Sequence, residues 1–167
     1  GNETAQAWVC ALENKSSPTA LILSRQNLPN LEVSAGSVEK GAYIAADSDG
    51  DPDAVLIATG SEVHKCLEAK ETLDGAGIKT RVVSMPSVER FDAQDKSYRD
   101  SVLPASVKNR VAVEAGATQG WYKYVGLDGA VIGIDHYGAS ADGDLLMEKF
   151  GFSTDNIVKT VKDLAGS

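Results

Sequence analysis

A chain of 167 residues that is 43% hydrophobic is long enough to bury one real core, and its composition is that of a water-soluble globular domain. A formal charge of −8 and a pI near 4.7 repel phosphate backbones and anionic headgroups, so neither nucleic acid nor membrane is an expected partner. No apolar run reaches the ~20 residues of a membrane span, no signal segment opens the chain, and Cys10 and Cys66 read as reduced, buried thiols of a cytoplasmic protein.

The opening Gly1-Asn2-Glu3-Thr4 has no initiator methionine and is expected to belong to a longer protein. Asn2 as an N-cap, with Ala5, Trp8, Val9 and Leu12 at the spacing of one helical face, predicts a helix over residues 3–14. Ser16-Ser17-Pro18 breaks it. Residues 19–23 then form an apolar run of strand length, as expected of a strand buried on both faces. A lone helix and strand cannot cover their own apolar faces, so the pair is expected to belong to a sheet completed elsewhere. The polar stretch 27–39, with Pro29 and Gly36, reads as a linker between two domains.

Beyond it, strands are predicted at 41–46, 54–59, 80–84, 110–114 and 131–134. They alternate with helices at 61–73 (Ser61 as N-cap), 95–102, 121–125, 142–150 and 154–164. Such alternation predicts an α/β domain of three layers, with a five-stranded, mostly parallel sheet and helices on both faces.

The strongest local signal is Ser24-Arg25-Gln26-Asn27-Leu28-Pro29, directly after the predicted strand at 19–23. In an open parallel sheet, ligands bind beyond the carboxyl ends of the strands, and an arginine there can grip a phosphate through two parallel hydrogen bonds. On residue type alone it is a solvated loop charge. This block, preceded by Pro18-Thr19-Ala20-Leu21-Ile22-Leu23, resembles the end of the pyrimidine-binding domain of transketolases. The resemblance continues in order through Lys40-Gly41-Ala42-Tyr43, residues 55–63, Arg81-Val82-Val83-Ser84-Met85-Pro86, residues 98–104, residues 133–140 and Phe150-Gly151-Phe152-Ser153.

The resemblance implies residues 1–29 as the end of the pyrimidine-binding domain, 30–37 as linker and 38–167 as the C-terminal domain of that family. It further implies an intact homodimeric transferase of the pentose phosphate pathway, moving a two-carbon ketol unit between sugar phosphates with thiamine diphosphate and magnesium or calcium. Of the family's substrate-binding residues only Arg25 has a counterpart here, as the phosphate contact. The residues that hold cofactor and metal precede the matched part, so the chain alone is expected to be inactive and to bind neither. Glu3 falls on a structural helix and is assigned no chemistry.

Other candidates are weaker. Gly60-Ser61, between a strand and a helix, could present backbone N–H groups to an anion; a free-standing module binding a nucleotide or phosphometabolite there is the alternative reading. Glu62 just inside that helix opposes it. His64 and His136 have no partners at metal-ligand spacing, although Asp135 could tune His136 as a base. The loop from Gly116 to Trp121, followed by Tyr122 and Tyr124, reads either as a contact surface or as core.

Overall fold

The computed structural model describes residues 1–31 and 37–166, so the central part of the predicted linker, 32–36, lies outside the described residues. In chain order the elements are α1 (Asn2–Glu13), a 3-10 turn (Val38–Lys40), β1 (Tyr43–Ala46), β2 (Ala54–Ala58), α2 (Glu62–Gly75), β3 (Thr80–Ser84), α3 (Val88–Asp92) and α4 (Lys96–Val102). They continue with β4 (Arg110–Val113), a 3-10 turn (Thr118–Trp121), α5 (Tyr122–Val125), β5 (Ala130–Ile132), α6 (Gly143–Lys149) and α7 (Thr154–Ala165).

The sheet order is β1-β3-β2-β4-β5, parallel throughout except for β1, which runs antiparallel to β3 on the edge. Every residue of β2 and β3 is buried, the signature of parallel strands covered on both faces. Because side chains alternate along a strand, each strand feeds two cores. Ala54, Leu56 and Ala58 pack with Val82, Val111 and Val113 against Cys66 and Leu73 of α2 and Ile157 and Val161 of α7. Val55, Ile57, Val83 and Ala112 pack on the other face against Phe91 of α3, Val102 of α4, and Trp121 and Tyr124. The expected three-layer α/β architecture with a mostly parallel five-stranded sheet is therefore present.

Helix starts follow side-chain chemistry. Ser87, Asp95, Asp142 and Ser153 each accept a backbone N–H at the start of α3, α4, α6 and α7. Asn2 does not serve as the expected cap, and Ser61 holds the N-cap position of α2 without a side-chain cap bond. Asn2 lies inside α1, whose first turn closes on the Gly1 carbonyl. Ser61 already has helical angles, and its hydroxyl turns to Glu62 instead. The five-residue α3, too short to show periodicity, has no counterpart in the sequence reading.

The N-terminal segment differs most. Residues 19–23 join no strand of the sheet, and Ile22 and Leu23 are 95% and 57% exposed. A strand needs a hydrogen-bonding neighbour, and the expectation for this run is a sheet completed elsewhere, not the one described here. Helix α1 is likewise turned. Its predicted apolar face points outward, with Trp8 53% and Leu12 68% exposed, while Cys10 packs inward on Val38 and Tyr43.

Both cysteines are free and buried. No helix among the described residues is long and apolar enough to cross a membrane.

Gly41 tests the packing of the edge. It has φ +89, and a Cβ there would lie 2.3 Å from both the Phe91 nitrogen and the Ser87 carbonyl oxygen. Gly77 has a similar φ of +84 but open space around it. Gly41→Ala is expected to cost about 2–4 kcal/mol, from strain plus a backbone clash, and Gly77→Ala about 1–2 kcal/mol from strain alone. Urea denaturation midpoints of the two variants measure the difference.

Candidate functional site

From β2 the chain moves to β3 on one side, then crosses through α3 and α4 to β4 on the other side of β2. The carboxyl ends of β2 and β4 therefore form the switch point of the sheet, where open α/β folds place a ligand crevice. Two loops meet there: Thr59-Gly60-Ser61 entering α2, and Glu114-Ala115-Gly116 leaving β4. Gly60 takes φ +57, and Ser24 Oγ lies 3.5 Å from where its Cβ would be. The segment carrying Arg25 is thus brought to this same edge. Arg25 itself is exposed and forms no ion pair among the described residues.

The crevice is occupied by the protein's own carboxylates. Glu62, only 3% exposed, accepts the Ala115 N–H at 3.2 Å and the Ser61 hydroxyl at 2.9 Å. Burial raises its pKa, with the Ser61 and Ala115 hydrogen bonds and the nearby His64 opposing the rise. Beside it, Glu114 is pushed up to about 7, by burial first and by the charge of Glu62 second. Its Oε2 is buried and has no hydrogen-bond partner among the described residues. A bound anion at Gly60-Ser61 would compete with Glu62 for the donors and face two acidic groups. The weak anion-site candidate at Gly60-Ser61, which Glu62 opposes, is thus a turn whose donors Glu62 takes up. Sequence reasoning missed Glu114; the available signal was a lone carboxylate closing an apolar strand at the carboxyl edge.

The structure keeps the remaining candidates apart. Asp135 accepts both the N–H (2.9 Å) and the hydroxyl (2.7 Å) of Thr118, bonds that hold its pKa below the usual range. His136 instead places Nδ1 2.7 Å from the Tyr137 carbonyl, so that nitrogen carries the proton, and packs edge-on against Phe150. The carboxylate thus anchors a loop. His64 is half-buried on α2. Trp121 and Tyr124 belong to the core, and Tyr122 alone of the three is exposed. Among the described residues no three histidine, cysteine or acidic side chains converge as a metal site.

Residues 41–153 match the family described as Transketolase-like TK C-terminal domain. Transketolase 1 of Vibrio parahaemolyticus serotype O3:K6 is 53% identical over 165 residues, covering 97% of this chain and 25% of that protein. Transketolase of Geobacillus stearothermophilus is 49% identical over 170 residues, 99% of this chain and 25% of its own length. Among solved structures, transketolase from Leishmania mexicana superposes with a TM-score of 0.91 at 42% identity, covering 98% of this chain and 24% of that one. A Pichia stipitis transketolase in complex with sedoheptulose 7-phosphate gives 0.89 at 37% identity, covering 100% and 25%. The chain spans about a quarter of the length of the curated relatives it matches.

Glu114 makes stability depend on pH. Its folded pKa lies above the ordinary value of 4.5, at about 7, so the folded state binds its proton more tightly. That contribution is fully present below pH ~4.5 and is lost as pH rises through 7. Glu114→Gln, which stays uncharged, is expected to melt above the wild type at pH 8 and to lose that advantage at pH 5. Thermal melts across pH 5–8 check this.

Proposed function

The chain belongs to the transketolase family, and from that membership we propose that it serves as the C-terminal domain, with the end of the preceding domain, of a ketol-transferring enzyme. The intact protein would transfer a two-carbon unit between sugar phosphates of the pentose phosphate pathway, as a cytoplasmic homodimer with thiamine diphosphate and magnesium or calcium. In this reading residues 1–29 end the pyrimidine-binding domain, 30–37 link, and 38–167 form the C-terminal domain. The outward apolar face of α1 and the exposed Ile22 and Leu23 support it, because they offer an unfinished layer for a neighbouring domain to cover.

The described residues do not fit thiamine diphosphate or its metal. The crevice at the switch point holds Glu62 and Glu114, which repel a diphosphate, and the described residues converge on no metal-ligand set. The cofactor would therefore be held by parts of the enzyme that the chain does not span. The same acidity weighs against the free-standing nucleotide or phosphometabolite module.

The observation that carries the substrate reading is the placement of Arg25. An exposed guanidinium beside the carboxyl edge of a parallel sheet, with no ion-pair partner among the described residues, is available to a phosphate. Its five N–H donors match two phosphate oxygens at once, fixing the far end of a sugar phosphate while the reacting carbons lie elsewhere.

Calorimetry of this chain with thiamine diphosphate and magnesium is expected to show no binding at micromolar concentrations. In the full-length protein, Arg25→Ala is expected to weaken use of a phosphorylated sugar by about ten- to a hundredfold, the loss of hydrogen bonds to a charged group. Unphosphorylated acceptors, which never make the contact, should be little affected. Steady-state kinetics on a sugar phosphate and its unphosphorylated analogue decides; equal losses on both would refute the assignment.

A further inference from the structure

Helix α1 is fastened to the C-terminal domain through one acidic side chain. Glu3 Oε1 accepts the Tyr43 hydroxyl at 3.0 Å and the Ser84 hydroxyl at 2.6 Å. Tyr43 opens β1 and Ser84 ends β3, and the two face each other in the antiparallel ladder. Glu3 therefore closes the end of that ladder on the carboxyl edge of β3, the edge where the parallel strands of the candidate site also end. Both donors are buried, and without Glu3 two hydroxyls would lose an acceptor in a dry place. The carboxylate also sits in the first turn of α1, where the helix dipole favours a negative charge. Burial, and next the charge of Glu3, raise the Tyr43 phenol above its ordinary range, so it stays a donor at all physiological pH.

A second tie lies at the other end of the helix. Arg90 on α3 donates from Nη2 to the Cys10 carbonyl at 3.2 Å and from Nη1 to the Glu39 carbonyl at 3.3 Å. One guanidinium thus joins the two bases of the excursion from which Arg25 projects. Between those ties the excursion comes close to the sheet at Ser24, beside Gly60. Arg25 follows directly.

We propose that Glu3 is a positioning residue for the Arg25 phosphate contact: held by Tyr43 and Ser84, it pins α1, and with it the segment bearing Arg25, to the carboxyl edge of the sheet. The inference rests on the reading of Arg25 given above. Glu3 touches neither substrate nor cofactor in this scheme; it acts through the segment it holds.

The test is kinetic, in the full-length protein. Glu3→Ala removes the acceptor, and Glu3→Gln keeps a carbonyl oxygen able to accept both hydroxyls. Ser84→Ala removes one donor without leaving a buried acceptor unmade, and serves if Glu3→Ala folds poorly. Glu3→Ala is expected to raise KM for a sugar phosphate by about tenfold, with kcat within about twofold of wild type. KM for an unphosphorylated acceptor should hold, Ser84→Ala should show a smaller rise, and Glu3→Gln should return KM close to the wild-type value. In an Arg25→Ala background, Glu3→Ala should add little to KM, because the contact it positions is already gone. Equal losses on both substrate classes, or lowered melting temperature with unchanged KM in both Glu3→Ala and Ser84→Ala, would overturn the proposal. Arg25→Ala measured alongside separates the two claims. If it fails to distinguish the substrate classes, the reading of Arg25 is wrong; if it distinguishes them and Glu3→Ala does not, only the positioning role is.

Discussion

Three strands, β2, β3 and β4, are buried on both sides along nearly all their length, and the rest of the chain is arranged to keep water from both of their faces. Helices α2 and α7 cover one face; α3, α4 and α5, with Trp121, cover the other. Because β2 sits between β3 and β4, its two neighbours are reached by connections on opposite sides. The crevice at the carboxyl ends of β2 and β4 is a consequence of that layering and needs no ligand to explain it.

In related architectures such a crevice receives an anion on backbone N–H groups at a helix start. Here Glu62 reaches back to the Ala115 N–H from the first residue of α2, and Glu114 completes an acidic pair beside it. Negative charge inside the crevice, on a chain already carrying −8, disfavours a phosphate there, which accords with the role proposed for the exposed Arg25. The crevice at the sheet edge is filled by the domain's own carboxylates, and the segment bearing Arg25 is laid beside it.

That segment also shows how a helix can belong to two layers. Cys10, together with the polar bonds of Glu3, secures α1 to the described domain, while Trp8, Val9 and Leu12 face away from it. Its stronger apolar stripe is the one left uncovered. A surface of this kind is costly in water unless something packs on it, which accords with a chain that spans about a quarter of its relatives' length.

Much of this was readable from residue patterns. The short apolar runs at 54–59, 80–84 and 110–114 marked strands buried on both faces, and their alternation with helical periodicity marked the α/β layering, because both periods follow from backbone geometry alone. Contacts between distant residues carry no such local mark. The run at 19–23 has a strand's composition, but a strand exists only where a neighbour supplies hydrogen bonds, and none of the described strands pairs with it. Glu114 read as a polar strand end until the fold set it beside Glu62, and Asp135 looked paired to His136 until Thr118 took its carboxylate. Glu3 had no visible role until Tyr43 and Ser84, 40 and 81 residues away, were brought to its carboxylate. Local spacing, then, determined the strands of the sheet and most of the helices between them; only the packing of those elements decided which face of α1 is buried and which charges meet, because burial and electrostatic coupling act through space and not along the chain.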